Sequence, residues 1–231
     1  MYEEKPSELS TVNCIWHAIA TEEGVFTDPA NEYWGLAFTR RSDGSEAAEL
    51  IGPTLTPRIL SGYVGDEYWG VEFKSYVAMH GVNKQVVLGT AMPLPTIDGR
   101  FFIGSNAYAI RQYDELEEMV KQLMKDGVIV ADDRVRRSLQ GGDAGLSERS
   151  RQRYFKEVTG LTKKQITQLE RARHAYFLLQ NGMNIVEAAT EAGYADQAHM
   201  TRSLQLIRSE TPAQIIEQHM RRTRKIGGFI Q

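Results

Sequence analysis

The polar and apolar positions of this 231-residue chain change rhythm near residue 112. Before it, apolar residues come in short aromatic-rich runs: Cys14-Ile15-Trp16-His17-Ala18-Ile19, Tyr33-Trp34-Gly35-Leu36-Ala37-Phe38, Glu49-Leu50-Ile51 and Tyr68-Trp69-Gly70-Val71-Glu72-Phe73. Turn signals such as Ser42-Asp43-Gly44, Gly52-Pro53 and Gly65-Asp66 bound them, so each run predicts a strand. Enrichment in aromatic and β-branched side chains favours a small, mostly antiparallel sheet or open barrel. Short helical turns are expected around Val77–His80 and Lys84–Leu88.

Past residue 112 the period becomes that of a helix. In Tyr113–Met124 the apolar residues Leu116, Met119, Val120 and Leu123 share one face, acids fill the first turns and lysine comes late. Gly127 stops that segment, and from there the pattern reads as helical to the C-terminus. The expected organisation is α+β: a β-rich sensory or partner domain over 1–112, a connecting helix over 113–130, and an all-α domain over 131–231.

Inside the helical part, Thr162 and Asn181-Gly182 bracket a helix over Lys163–Gln180, with Ile166, Leu169, Ala172, Tyr176 and Leu179 as its buried stripe. A rod of that length spans roughly 27 Å, and would hold two flanking modules about one turn of B-DNA apart, ~34 Å. Downstream, Ile185, Ala188 and Ala189 mark a short helix, Gly193 a turn, and Tyr194 a plug between two helices. Asp196 caps a second helix whose Met200, Leu204 and Ile207 point inward. Gln197, Ala198, Thr201 and Arg202 are left outside, with His199 flanking. Ser209-Glu210-Thr211-Pro212 then opens a closing helix that runs to about Arg222. Upstream, Ser147 caps a helix ended by Thr159-Gly160. Leu146, Phe155 and Val158 are its anchors, Arg149, Gln152 and Arg153 its outer face, and Asp132–Gln140 its support, with Val135 and Leu139 buried.

Charge supports a division of labour. Residues 1–130 hold 10 Lys and Arg against 19 Asp and Glu, a net of −9, while residues 131–231 hold 17 against 11, a net of +6. A basic half carried by an acidic one points to a polyanion as partner. Gln and Arg on the first turns of a second helix are the side chains suited to bidentate contacts with adenine and guanine in a major groove.

Three segments carry a family resemblance. Ser147-Glu148-Arg149-Ser150-Arg151-Gln152-Arg153-Tyr154-Phe155 through Gly160-Leu161 resembles the first recognition helix of AraC-type transcription regulators. Glu191-Ala192-Gly193-Tyr194-Ala195-Asp196-Gln197-Ala198-His199-Met200-Thr201-Arg202-Ser203 through Thr211-Pro212 resembles the signature at their second, and Glu170-Arg171-Ala172-Arg173-His174-Ala175 the linker helix between. Covering about 131–222, the resemblance implies a bilobed double helix-turn-helix domain that inserts two helices into successive major grooves. It places base-reading positions on Arg149, Gln152, Arg153, Gln197, Ala198 and Arg202. Ser147, His199 and Thr201 complete the expected DNA-facing set, His199 as a phosphate or local donor. The sequence departs from the family at Gly141-Gly142-Asp143-Ala144-Gly145, which stands for an apolar helix, at Arg151, which stands for a buried Leu, and at Ala198, which offers only a methyl. The N-terminal layout, with Ile51-Gly52-Pro53 and Gly70-Val71-Glu72-Phe73, is similar to domains that precede this module in some of these regulators, which implies a sensory or dimerising duty.

Other chemistry is thin. Cys14, His17 and His80 invite a metal, but a spacing of three on a strand turns Cys14 and His17 to opposite faces, so no metal and no cofactor is expected. Trp16, Trp34, Trp69, Tyr33 and Tyr68 fit either a ligand pocket or the core of a small sheet. The basic tail Arg221-Arg222-Thr223-Arg224-Lys225 suits electrostatic help to DNA binding. A single cysteine excludes the four-cysteine zinc centre of repair alkyltransferases that carry an AraC-like module, and no nucleophile elbow, phosphate loop or dinucleotide fingerprint occurs. An enzyme is not expected. Without a secretory signal or an apolar run of membrane length, the expectation is a soluble cytoplasmic protein. Double-stranded promoter or operator DNA is the expected partner. RNA polymerase, a small-molecule or protein effector on the N-terminal domain, and a second copy in a homodimer are further candidates. The competing reading is a ligand- or partner-binding module with only weak, non-specific DNA contact.

Overall fold

A computed structural model of the chain describes residues 2–82, 86–142 and 147–227. Its main sheet is built from β1 (Tyr2–Lys5), β2 (Val12–Ile19), β4 (Trp34–Arg40), β5 (Glu46–Ile51), β7 (Glu67–Phe73) and β9 (Ala91–Leu94). They lie side by side as β1-β2-β7-β4-β5-β9, each neighbouring pair antiparallel. The four expected strands are β2, β4, β5 and β7, the centre of this sheet. Period-two alternation puts Leu36 opposite Val71 and Phe38 opposite Trp69. These four side chains are buried with Ile15, Leu50 and Phe73. Burying each is worth about 1.5–3 kcal/mol.

Smaller pairings complete the β-rich part. β3 (Gly24–Asp28) pairs with β6 (Arg58–Gly62), and β10 (Thr96–Ile97), β11 (Arg100–Ile103) and β12 (Asn106–Ala109) form a meander that brings Phe101 to 5.3 Å from Phe38. After a 3-10 turn over Tyr113–Glu115, helix α1 (Leu116–Lys125) buries the four expected residues, Leu116, Met119, Val120 and Leu123, in the same core.

Two sequence expectations are overturned here. Val77–Met79 is a strand, β8, and its partner is β13 (Ile129–Ala131), inside the stretch expected to be helical throughout. Val77 and Met79 face the core while Ala78 between them does not, an alternation that a helical turn cannot bury. Ile129 opposite Met79 is buried as well, and pairing across 50 residues overrides the local helical preference. The other expected helical turn, at Lys84–Leu88, lies partly outside the described residues; Val86, Val87 and Leu88 form turns and a bend.

The remaining helices are α2 (Asp133–Leu139), α3 (Glu148–Thr159), α4 (Lys163–Gln180), α5 (Ile185–Glu191), α6 (Gln197–Arg208) and α7 (Pro212–Gly227), the last running beyond the expected end near Arg222. Contacts divide the chain into two units. One comprises Met1–Phe26, Glu32–Thr54 and Ile59–Lys163. The other comprises Thr27–Asn31, Leu55–Arg58 and Lys164–Gln231. The β-rich part therefore shares its unit with α1, α2 and α3, whereas α5, α6 and α7 belong to the second, together with nearly all of α4. The change of rhythm near residue 112 is not where the contacts divide the chain. Among the described residues no helix is long and apolar enough to cross a membrane.

Candidate nucleic-acid interface

In the first unit the helix pair α2–α3 is assembled around Asp132. Its carboxylate caps α2, accepting from the amides of Arg134 at 3.0 Å and Val135 at 2.9 Å. The second carboxylate oxygen accepts from the Tyr154 hydroxyl of α3, which raises the Tyr154 pKa, and the Arg134 guanidinium lies 5.8 Å from the centre of the Tyr154 ring. Val135 is buried as expected; the next apolar position, Leu139, is only half-buried, and Ser138 is buried instead. Its carbonyl accepts from Lys163 Nζ.

α3 starts and stops where its residues demand. Ser147 Oγ accepts from the Ser150 amide at 3.3 Å, and Gly160 takes φ +78°, a left-handed turn for which a side chain would be strained. Thr159, fully buried, bonds through its hydroxyl to Phe155 and Leu161 on either side of that turn. Phe155 is buried, Val158 half-buried, and the third expected anchor, Leu146, lies outside the described residues. So do Asp143, Ala144 and Gly145. Arg149, Gln152, Arg153 and Lys156 are all exposed at i, i+3, i+4 and i+7, one continuous outward stripe. Arg151 is half-buried.

In the second unit, α4 has the expected bounds and buries Ile166, Leu169, Ala172 and Leu179. Ala175 completes that stripe, and Tyr176, expected there, is half-buried. Its ring lies beneath the Arg208 guanidinium of α6, 3.4 Å from the ring centre, and Arg208 also pairs with Glu210 at 3.2 Å. Asn184 caps α5 by accepting from the Glu187 amide; Ala188 and Ala189 are buried, while Ile185 is half-buried. The turn between α5 and α6 is built on Gly193 at φ +75°. Arg171, from α4, donates to the Gly193 carbonyl at 3.0 Å and covers the Tyr194 ring at 4.7 Å. Tyr194 is buried in the turn as expected and bonds to Ser203 of α6 at 2.9 Å; burial raises its pKa.

Asp196 caps α6 by accepting from the His199 amide at 2.6 Å, and Met200, Leu204 and Ile207 are buried. Gln197, Ala198 and Arg202 are exposed on the first turns. Thr201 is half-buried because its hydroxyl turns back to the Gln197 carbonyl at 2.9 Å, and His199 is half-buried edge-on to Tyr194 at 5.2 Å. Gln197, Ala198, Thr201 and Arg202 together line a shallow open depression. The first turn of α6 itself holds no acid, and the carboxylate at this helix end is that of the cap residue Asp196. α7 opens as expected at Pro212, behind a reciprocal cap between Thr211 and Gln214.

Asp132, Tyr154, Arg171 and Arg208 position these helices without facing outward, and sequence reasoning missed all four. Asp132 carried a readable signal as a cap residue, and Arg171 carried one as a cation beside a buried stripe. Among the residues weighed for a metal, His17 faces Glu3 at 3.1 Å and Glu67 at 2.9 Å, whereas Cys14 lies against Glu72 at 3.4 Å. They answer to different partners. Of the five aromatic residues weighed as a pocket lining, Trp34 and Trp69 are buried in the core and Trp16, Tyr33 and Tyr68 are half-buried.

Residues 142–218 match the family model of a helix-turn-helix domain. ToxT from Vibrio cholerae in its P21 form matches over 95% of this chain and 98% of its own, with 7% identity and a TM-score of 0.45. ToxT from Vibrio cholerae O395 matches over 95% and 97%, with 9% identity and a TM-score of 0.43. No curated protein matches the sequence at significance.

Proposed function

We propose that this chain, whose residues 142–218 are a helix-turn-helix domain of the AraC type, is a sequence-specific regulator of transcription that reads double-stranded DNA with α3 and α6. The observation that carries this is the outward face of each helix. Arg149, Gln152 and Arg153 are exposed on the first turns of α3, and Gln197 and Arg202 on those of α6. In a helix-turn-helix those positions meet base edges, and Arg and Gln supply the paired donors that guanine and adenine accept.

Roles follow from chemistry and exposure. Arg149, Arg153 and Arg202 read guanine, Gln152 and Gln197 read adenine, and the Ala198 methyl suits thymine. Ser147, at the start of α3, takes a phosphate, as helix N-termini do. Thr201, tied back to its own helix, and His199, packed on Tyr194, hold the α6 surface in shape and approach the backbone. The β-rich part receives the signal, from a small molecule or a protein. The helical domain that we assign to DNA begins at about residue 131.

Selection from a random duplex library at physiological salt tests this. Enrichment of two short blocks about one helical turn apart is the expected result. One block alone means that only one helix reads bases. Binding that is steep in salt but enriches nothing overturns sequence-specific regulation and leaves a module with non-specific DNA contact.

A further inference from the structure

Helix α2, the partner of α3, follows directly on the last strand of the β-rich core. β13 belongs to that core through Ile129, which is buried opposite Met79 of β8. The chain leaves β13 at Ala131, and the next residue is Asp132. Its amide donates to the Tyr76 carbonyl at 2.8 Å, on the residue just before β8. At the other end of the pair, the His80 amide donates to the Val128 carbonyl at 2.8 Å. Asp132 is thus fixed to the sheet by its backbone while its carboxylate caps α2 and holds the Tyr154 hydroxyl of α3. α3 packs directly on β8. α6 is held by other means, through Arg171, Gly193 and Tyr194 in the second unit.

Resting on the reading of α3 and α6 as DNA readers, we infer that α3 is the regulated one. The β8–β13 ribbon and Asp132 make α3 part of the signal-receiving unit, so a change in the β-rich core alters reading by α3 and leaves α6 as a constant anchor. Asp132 is the positioning residue, and Tyr154 is its contact on α3. A packed core responds to a bound effector by switching between discrete arrangements. A helix that packs on a core strand and is tied to it through the Asp132 side chain and peptide follows such a shift.

Hydrogen exchange on the free 231-residue chain tests the coupling without DNA. Tyr154→Phe removes only the hydroxyl, and exchange in α3 is expected to rise about three- to tenfold, the worth of one hydrogen bond. α1 and α6 keep their rates, and the thermal midpoint stays near that of the wild type. Asp132→Asn keeps an oxygen for the cap and an amide to bond the Tyr154 oxygen, so it behaves as wild type, while Asp132→Ala does not. Met79→Ala, which loosens the ribbon itself, raises exchange in β13, α2 and α3 together but not in α6. Unchanged exchange in α3 in both Tyr154→Phe and Met79→Ala overturns the inference. Footprinting on the selected duplex gives the second readout: Tyr154→Phe weakens protection of the block read by α3 and spares the other. Equal loss on both blocks also overturns it. If the wild type binds no DNA, the functional reading falls while the exchange result still decides the coupling.

Discussion

Arg153 sits on the exposed stripe of α3, one turn past Arg149, and Arg202 on the second turn of α6. Neither makes a side-chain hydrogen bond or ion pair with another described residue, so each is available to a ligand. Arg153→Ala should cost roughly 1–3 kcal/mol in binding to the selected site and relax preference at one base pair, checked by titrating matched and single-mismatch duplexes. An equal loss on scrambled DNA would reassign it to phosphate. Tyr194 illustrates the other kind of residue, buried and exacting. Tyr194→Phe keeps the ring beneath Arg171 and loses the bond to Ser203, an expected destabilisation of about 1 kcal/mol measured by urea unfolding.

At the scale of the element, the helices obey local rules. Asp132, Ser147, Asn184 and Asp196 each accept amides at the start of the helix they precede. Asp196→Ala should lower stability by about 1 kcal/mol and fray the first turn of α6, which carries Gln197 and Ala198. The check is hydrogen exchange of residues 197–201 beside DNA affinity, with Asp196→Asn or Asp196→Ser restoring both. The bounds of α4 were legible in the sequence to the residue and those of α3 to within one, because cap, apolar stripe and glycine stop are written in one contiguous segment. Fully central strands were legible too, since Leu36, Phe38, Trp69 and Val71 alternate within single segments. The edge strands β1 and β9 were not. Tyr2-Glu3-Glu4-Lys5 has no apolar alternation, and it becomes a strand only because β2 offers it an edge to pair with.

Charge and titration act at the scale of the whole molecule. Binding carried by the basic C-terminal half should weaken linearly in log salt, losing on the order of a thousandfold between about 50 and 200 mM if about six phosphates are neutralised. A flat salt response would contradict a polyanion partner. Alkaline stability follows from a second set of groups. Tyr68, Tyr76, Tyr108, Tyr113, Tyr154 and Tyr194 all have raised pKa values. Burial is the largest cause in each except Tyr154, where the bond to Asp132 leads. Burial, followed by Glu72 and Glu4, raises Cys14 as well. Each raised group keeps its proton longer folded than unfolded, so the native state binds more protons on the alkaline side. Its contribution is whole below the unfolded value, near 10 for tyrosine, and is lost as pH rises through the folded value. Urea midpoints should therefore hold level from neutrality, begin to fall at about pH 8.5–9, where the unfolded Cys14 thiol ionises, and fall more steeply above about pH 10, and Tyr154→Phe should shallow the steeper part.

Sequence alone determined the helices and their outward faces. A helix closes its hydrogen bonds within four residues, and its caps, apolar stripe and polar face are written in one contiguous segment. Arg149, Gln152, Arg153, Gln197 and Arg202 were therefore identifiable before any coordinates. Tertiary structure decided which parts of the chain each helix belongs with. The β8–β13 pairing joins residues 50 apart, the Asp132–Tyr154 bond joins two helices, and no local pattern encodes either. Strands find their partners through space, so the bond of α3 to the β-rich core was decided only by folding.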